Sequence, residues 1–167
     1  MKSKSIFYKM VSLLSIFSVV LTCLSCGKEN AATTMNLIKA EGTVDVNDAK
    51  GKSLKLIENM GLYNGYGVGT QMESYAWINF DDVKLSKLDQ DSSVLIEKDG
   101  KRLEIDVQSG SMFFNVTEAL GEDESMDIRT STMLVGIRGT SGWVVNDGSK
   151  ASIALLHGKA EAALSTD

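Results

Sequence analysis

Short β-type runs separated by turn residues constrain the fold of this chain more than any other feature. From Leu37 onward, runs of four to ten residues rich in aliphatic and aromatic side chains alternate with clusters of Gly, Asn, Asp and Ser. Such spacing predicts many short strands, because a helix would need apolar residues at three- and four-residue intervals. Asp99-Gly100, between two of the runs, is a strong two-residue hairpin signal. The predicted strands cover residues 37–46, 54–57, 76–80, 94–98, 103–107, 112–116, 142–145 and 153–156, and turns are expected at 50–51, 64–65, 99–100, 109–110 and 146–148.

The strand pattern predicts an all-β domain, built as a solenoid or roll of many short strands, with a β-sandwich as the alternative. No run shows a helical apolar stripe, although residues 117–120 could form one helical turn. A weak repeat links the two ends of the domain, since residues 42–46 (Gly-Thr-Val-Asp-Val) are echoed by residues 158–162 (Gly-Lys-Ala-Glu-Ala). We therefore expect similar strands to open and close the domain.

The N-terminus has the pattern of a secretory leader. Lys2, Lys4 and Lys9 come before an apolar run at residues 11–21, and no acidic residue precedes that run. A run of this length matches the core of a signal peptide and is shorter than the roughly 20 residues that span a bilayer. We therefore predict a signal peptide over residues 1–25, and the alternatives are a plain cleaved peptide that releases a soluble protein and an uncleaved membrane anchor.

Cys26 is the candidate for a lipid anchor. Ser25, a small residue, precedes it, and the chain becomes polar directly after it. This junction resembles the lipobox of bacterial lipoproteins, which implies that Cys26 is acylated, for example with palmitate, and becomes the new N-terminus. The lipobox usually has an aliphatic residue three places earlier, where this chain has Cys23, so Cys23 is the alternative site. Both cysteines lie in this junction, and the mature body is therefore expected to have no disulfide.

The mature chain would consist of a flexible tether at residues 26–36 and a folded body at residues 37–164. Acylation adds about 0.8 kcal/mol of membrane affinity per buried methylene. We therefore expect an exported protein, anchored to a bacterial membrane by its lipidated N-terminal cysteine, on the periplasmic or cell-surface face. Loss of the three leader lysines leaves 14 of the 17 basic residues against 22 acidic ones, a net charge of about −8. Such a charge argues against nucleic acid as a partner and leaves membrane attachment to the lipid.

Residues that carry catalytic and metal chemistry are missing or isolated. His157 is the only histidine, and no cysteine of the mature body accompanies it for a zinc site. No nucleophile elbow, phosphate-binding loop or zinc-protease motif occurs. The acidic clusters lack the spacing of calcium loops, so they are expected to be solvated, and we predict a non-catalytic protein without metal or cofactor. These clusters are Asp81 with Asp82, Asp89 with Asp91, and residues 122–124.

The densest aromatic group is a candidate binding surface. Tyr63, Tyr66, Tyr75 and Trp77 lie close together in the sequence. Aromatic side chains on an exposed sheet face can bind glycans or proteins, and packing in the core is the alternative interpretation.

Residues 128–144, which read Ile-Arg-Thr-Ser-Thr-Met-Leu-Val-Gly-Ile-Arg-Gly-Thr-Ser-Gly-Trp-Val, resemble the signature of the FecR domain. In that family a threonine-led strand runs into a hydrophobic-Arg-Gly-Thr segment. The family usually has a proline after the leading threonine, where this chain has Ser131. The resemblance extends over about residues 37–163. Residues 42–44 are similar to the family's opening strand, and residues 67–70 with 74–78 are similar to its Gly-x-x-x-Thr turn and the strand after it. Residues 110–116 are similar to its Asn-Val strand, and residues 156–160 are similar to its closing Gly-Lys-Val segment.

The three-residue spacing of Gly136, Gly139 and Gly142 in a β context indicates bulges or close backbone approach. Arg138 lies among apolar residues and would need carboxylate or carbonyl partners if it faced inward. Through the resemblance, the residues that would form a structural or recognition motif are Thr130, Gly136, Arg138, Gly139 and Thr140.

The resemblance also implies a role at the cell envelope. The best-known FecR proteins regulate iron-responsive sigma factors from across the inner membrane. About ten residues precede the apolar run, so we do not expect a sigma-binding segment ahead of it. We therefore expect a lipid-anchored extracytoplasmic binding or scaffold module that contacts envelope proteins. The alternative is a sensor or regulatory component of a sigma-factor-linked signalling system.

Overall fold

The computed structural model describes residues 34–164, which form fourteen β-strands and no helix. The predicted all-β class is confirmed. No helix in this range is long and apolar enough to cross a membrane. In chain order the strands are β1 (Asn36–Glu41), β2 (Val44–Asn47), β3 (Ser53–Leu54), β4 (Met60–Gly61), β5 (Tyr66–Thr70), β6 (Tyr75–Asn79), β7 (Lys84–Leu88), β8 (Ser93–Asp99), β9 (Arg102–Val116), β10 (Ser125–Arg129), β11 (Met133–Ile137), β12 (Ser141–Asn146), β13 (Ala151–His157) and β14 (Ala160–Leu164).

The strands form one continuous curled sheet whose two halves share the long strand β9. In the half that we call sheet A the order is β4-β1-β6-β7-β9-β12-β13. In the other half, sheet B, the order is β3-β2-β5-β8-β9-β10-β11-β14. All neighbours are antiparallel except β9 and β10. Because hydrogen bonds run through both halves, a roll describes the fold, and the alternative of two separate sandwich sheets is not favoured.

Strand β9 changes sheets at Gly110. Its first part pairs with β8 and its last part with β7 and β12, and the inward side chains shift from odd to even numbers at the bend. The prediction of a chain-reversing turn at residues 109–110 is therefore wrong, because Gly110 bends a strand that continues. The inward side chains are Leu103, Ile105 and Val107 before the bend and Met112, Phe114 and Val116 after it.

The core lies between the inner faces of the two halves. Alternate residues of the strands are buried, as the period-two pattern of a half-solvated sheet requires. Each fully buried aliphatic or aromatic side chain stabilises the fold by about 1.5–3 kcal/mol. The largest buried side chains of the core include Phe80, Phe114, Ile78, Ile105 and Ile128.

The chain crosses between the two halves nine times, and six of these crossings have the same local construction. A residue with a positive φ, between 52° and 86°, is followed by Thr, Ser or Lys. We call these crossings corners. The repeat between residues 42–46 and 158–162 begins at the first and the last corner, Gly42 and Gly158. The six positive-φ residues are Gly42, Glu73, Asp91, Gly110, Gly139 and Gly158.

The corners meet in three pairs, and in each pair a buried hydroxyl of one corner bonds to the backbone of the other. Ser74 Oγ accepts a hydrogen bond from the Thr43 N–H at 2.8 Å. Ser92 Oγ accepts one from the Ser111 N–H at 2.9 Å. Thr140 Oγ1 donates to the carbonyl of Lys159 at 2.6 Å. These bonds satisfy backbone groups that lie between the ladders of the two sheets.

Six strands, β4, β5, β7, β10, β11 and β14, lie outside the runs predicted from the strand pattern, and for two of them the reason is identifiable. In β5 the outward positions include Gly67 and Gly69, so this strand lacks the side chains that mark an alternation. In β7 the inward positions are Lys84, Ser86 and Leu88, two of which are polar. Residues 117–120 form an irregular loop instead of a helical turn, and of the predicted strand at 54–57 only Leu54 is paired.

Candidate functional site

A row of aromatic and lysine side chains crosses the outer face of sheet A. On four of the five strands the neighbours of the row residue are buried, so its side chain points outward. On the fifth strand, β1, Lys39 is itself exposed and lies beside exposed Ile38. At a strand spacing of about 4.8 Å the row extends over about 19 Å. We call it the aromatic–lysine row. In strand order it consists of Lys39, Trp77, Lys87, Phe113 and Trp143, each the direct cross-strand partner of the next.

The lysines of the row lie against its aromatic rings. Lys39 Nζ is 4.4 Å from the ring centre of Trp77, and Lys87 Nζ is 5.6 Å from the same ring. Lys87 Nζ also lies 4.3 Å above Tyr75 and forms an ion pair with Asp89 at 2.8 Å. Exposed cation–π contacts of this kind contribute about 0.5–1 kcal/mol each. The lysines therefore hold the rings of Tyr75 and Trp77 in place on a solvent-facing surface.

Phe113 and Trp143 form the other end of the row. Their ring centres are 4.9 Å apart with planes tilted by 53°. Trp143 is 37 % exposed, and Val145, two residues along the same strand, is 42 % exposed. Trp and Phe are enriched in protein interfaces and Lys is depleted, so the rings and not the lysines mark this face as a candidate binding surface.

The four aromatic residues predicted as a binding surface separate into two pairs. Tyr75 and Trp77, with ring centres 6.3 Å apart, lie on β6 of sheet A. Tyr63 and Tyr66, 5.4 Å apart, lie before and at the start of β5 in sheet B, where Tyr66 packs against the core. Phe113 and Trp143 were missed by sequence reasoning, because only the register of β9 and β12 brings these distant residues beside β6 and β7.

The outer face of sheet B has the opposite character, with a row of carboxylates across its strands. Like charges directly opposite each other destabilise a sheet. One ion pair relieves this repulsion, between Arg129 Nε and Glu104 Oε1 at 2.5 Å. In strand order the row consists of Glu97, Glu104, Asp127, Gly136 and Glu161, each the direct partner of the next.

Asp106 lies beside this acidic row. Burial raises its pKa above the usual range, and the carboxylates of Glu104 and Glu97 raise it further, while the charge of Arg129 opposes both effects. The folded protein therefore binds a proton at Asp106 more tightly than the unfolded chain does. Sheet B thus presents a surface that disfavours additional negative charge.

Asp81 anchors the buried start of β7. Its Oδ1 accepts hydrogen bonds from the N–H groups of Val83 at 3.0 Å and Lys84 at 2.9 Å, and its Oδ2 lies 2.7 Å from Lys84 Nζ. The Lys84 side chain is only 3 % exposed. Burial by itself would raise the pKa of Asp81, but the Lys84 ammonium and the two N–H groups outweigh it and lower that pKa. One member of the predicted solvated cluster at Asp81 and Asp82 is thus part of a structural ion pair.

The residues of the Arg-Gly-Thr motif occupy a hairpin and a corner. Thr130 is buried, and its Oγ1 accepts a hydrogen bond from the Met133 N–H at 3.0 Å in the turn between β10 and β11. Gly139 has φ +76° at the fifth corner, and Thr140 holds that corner to the sixth. Arg138 is exposed and forms no ion pair with another described residue. The geometry gives Thr130, Gly139 and Thr140 backbone-positioning roles.

The other two glycines of the motif region differ from each other. A Cβ at Gly142 would collide with the carbonyl oxygen of Ala154, and the β12–β13 pairing is irregular between Ser141 and Gly142. The expected close approach is therefore confirmed at Gly142. Gly136 lies in the acidic row, where a Cβ would be 3.5 Å from Asp127 Oδ1, an ordinary contact.

Within residues 34–164 no three His, Cys, Asp or Glu side chains are arranged to hold a metal ion. His157 is exposed at the end of β13. A cleft of about 380 Å³, open to solvent, lies at the end of β8 and is lined by residues that include Lys98, Arg102 and Asp127. Cys23 and Cys26, with the predicted leader and most of the tether, lie outside the described residues, whereas Met35 is buried in the core.

Comparison with known proteins gives one family match, to the FecR protein family, over residues 67–161. This segment is more than half of the chain. No curated protein matches the sequence.

Two crystal structures of a proposed anti-sigma factor from Parabacteroides distasonis ATCC 8503 are similar to this fold. Each has a TM-score of 0.52 over 59 % of this chain, with 18 % and 17 % sequence identity. The chain spans just under half the length of that protein, 47 % and 46 % in the two structures. At this level of identity the likeness establishes the fold alone.

Proposed function

The chain belongs to the FecR protein family, and from this premise we propose that it is a non-catalytic, lipid-anchored module that binds a protein partner at the cell envelope. The partner contacts the outer face of sheet A, and the complex serves a regulatory, signalling role. The N-terminal cysteine, Cys26, confines this binding surface to the membrane. A fold alone would not specify binding, so the proposal rests on the character of one surface.

The aromatic–lysine row is the observation that carries the proposal. Soluble proteins seldom keep several large rings together on an exposed sheet face unless the face binds something. Rings fixed by neighbouring lysines lose little conformational entropy on binding, which favours affinity. Each lysine of the row is paired with a carboxylate of this chain, Lys39 with Glu41 and Lys87 with Asp89, so the rings and not a net positive charge favour binding. The net negative charge of the chain disfavours nucleic acid as the partner.

Removal of two rings of the row should abolish partner binding. We expect the double variant Trp77→Ala and Trp143→Ala, in the full chain, to weaken capture of its envelope partner by about several hundredfold, because hot-spot aromatics contribute about 2 kcal/mol or more each. The measurement is quantitative cross-linking and affinity capture from envelope fractions, with thermal unfolding as the check on folding.

Ile57→Ala is the matched control, since Ile57 is 62 % exposed and lies outside the row. Partners that are recovered equally with the double variant and with the parent chain would contradict the proposed face. If the parent chain binds a purified glycan through this face and captures no protein, the ligand is a glycan and the proposed protein partner is wrong.

The lipid anchor has a direct test. The leader pattern, with Ser25 ahead of Cys26, supports acylation there. We expect Cys26→Ser to abolish incorporation of labelled acyl chains and to release the protein from membranes, and globomycin to block processing. Cys23→Ser should change neither the acyl labelling nor the membrane retention. If neither substitution alters labelling or membrane retention, the anchor does not exist; if only Cys23→Ser does, the anchor is at Cys23.

A sigma-factor-linked role is the second candidate. The likeness to the proposed anti-sigma factor from Parabacteroides distasonis supports it, although at 18 % identity this is support through the fold only. Deletion of the gene followed by transcript profiling separates the two candidates. A sigma-dependent regulon that changes on deletion favours the signalling component, and an unchanged transcriptome with intact partner capture favours a scaffold.

A further inference from the structure

The two ends of the curled sheet differ in how their edges are protected. At one end the edge strands β3 and β4 are two residues long each. At the other end the edges are β13, with seven residues, and β14, with five. Among the described residues β13 pairs only with β12, and β14 only with β11. A short edge offers little template for another strand, whereas a seven-residue edge offers a complete one.

β13 also lacks the chemical protection that exposed edges usually carry. Its sequence is Ala-Ser-Ile-Ala-Leu-Leu-His, with no Lys, Asp, Glu, Arg or Pro. Soluble proteins normally place a charge, a proline or a short strand at an edge to prevent pairing with other chains. The edge of sheet A is therefore long, apolar and suited to strand addition.

The hydrophobic core is open at this edge. Ile153 and Leu155 pair with the buried residues Val144 and Gly142 of β12, so they lie on the inward side of the sheet. Leu155 is nevertheless 41 % exposed. An inward leucine that remains in contact with water indicates that the core continues onto another strand.

We propose that a second copy of this chain supplies that strand, through antiparallel pairing of β13 with β13 about a two-fold axis at Ala154. In this register Ile153 lies opposite Leu155 of the second copy, and Leu155 lies opposite Ile153. Two inward apolar pairs are thereby formed from one self-complementary patch, as a two-fold interface requires. Sheet A becomes continuous across the two copies.

Charge distinguishes β13 from β14 as the pairing edge. β14 carries Glu161, the last member of the acidic row on sheet B. Joining two copies at β14 would bring two acidic rows into line, with Glu161 of each copy nearest the joint. Joining at β13 brings together uncharged side chains, and the outward residue at the axis is the small Ala154. The second copy therefore pairs through sheet A.

Disulfide trapping in the full chain tests this geometry. Directly opposed strand residues have Cα atoms about 4.5–5.5 Å apart, within the range of about 4.4–6.8 Å that a disulfide spans. We expect Ala154→Cys to give a disulfide-linked dimer on mild oxidation in cells, and Ala162→Cys, at the centre of β14, to give none. The parent chain, which retains Cys23 and Cys26, shows any background.

A second substitution shows that the apolar patch drives the pairing. Leu155→Lys in the Ala154→Cys chain should reduce the cross-linked fraction by about tenfold or more, because the two-fold axis removes the same contact twice. Ile57→Lys is the control, since it adds the same charge at another exposed apolar site and should leave cross-linking unchanged. Circular dichroism and thermal unfolding verify folding of each variant.

Three results would overturn the proposal. These are a folded Ala154→Cys chain that forms no dimer, cross-linking through Ala162→Cys in its place, and cross-linking that resists Leu155→Lys.

Discussion

Replacing Asp81 by alanine lowers the free energy of unfolding by about 3 kcal/mol, because it leaves a buried ammonium without its counter-ion. Lys84 Nζ lies 2.7 Å from Asp81 Oδ2, and the lysine side chain is 3 % exposed. The loss lies at the lower end of the range for broken buried pairs, because Asp81 itself is 25 % exposed. The two N–H groups that Asp81 caps also lose their acceptor. Chemical denaturation at pH 7 measures the loss.

The effect of Asp81 depends on pH in a predictable direction. Its pKa in the folded protein lies below the ordinary value of 3.8, so the carboxylate stabilises the fold above that pH. As the pH falls through the lowered pKa, Asp81 becomes protonated in both states and its contribution is lost. The difference between the parent chain and Asp81→Ala should therefore be full at neutral pH and should shrink below pH 3.8. Asp82→Ala is the control. Asp82 is the exposed neighbour of Asp81, so its removal should change the free energy of unfolding little at any pH. Equal losses from the two variants would contradict the structural ion pair.

Replacing Gly110 by alanine destabilises the fold by about 3–4 kcal/mol, because a side chain cannot fit where β9 changes sheets. The φ of Gly110 is +83°, which costs an L-residue about 1–2 kcal/mol. A Cβ there would also lie 2.5 Å from Ser92 Cα and 2.7 Å from the Asp91 carbonyl oxygen, both backbone atoms that cannot rotate away. Such overpacking adds about 1–3 kcal/mol. Displacement of Ser92 would further break its hydrogen bonds to Ser111.

Gly148→Ala separates these two causes. Gly148 has nearly the same φ, +88°, but no atom lies within 4 Å of a Cβ built there. Its alanine variant should therefore be destabilised only by the conformational cost, the same about 1–2 kcal/mol. The free energies of unfolding of the two variants are compared by chemical denaturation, from the shift of each midpoint at an unchanged m-value. If both variants lose the same free energy, the close approach of the corners contributes nothing to stability.

Much of the fold could be predicted from the sequence where inward and outward residues differ in polarity. The buried residues of the strand at Tyr75–Asn79 are Ala76 and Ile78, those of the strand at Ser93–Asp99 are Val94 and Ile96, and the period-two pattern located both strands. The pattern fails where inward residues are polar, as at Lys84, because pairing with Asp81 is a tertiary property. It also fails at Gly110, since glycine marks a bend within a strand and a turn between strands equally well.

The candidate site was less accessible to sequence reasoning than the fold. Tyr75 and Trp77 could be recognised because they alternate on one strand. Phe113 and Trp143 could not, because their place beside Trp77 depends on cross-strand register, which the sequence does not specify without the partner strands. The motif at residues 138–140 was recognisable by resemblance, and the structure gives Thr140 a role in joining two corners.

The shared strand β9 also has a consequence for the order in which the molecule forms. It hydrogen-bonds to β7 and β8, which precede it, and to β10 and β12, which follow it. Neither half of the sheet can close before β9 is available, so neither half is an independent folding unit. Pairings between strands far apart in sequence are slow, because the loop between them must be closed first. Folding should therefore be a single late event, and a chain that emerges N-terminus first would keep its early strand edges exposed until Val116 has appeared.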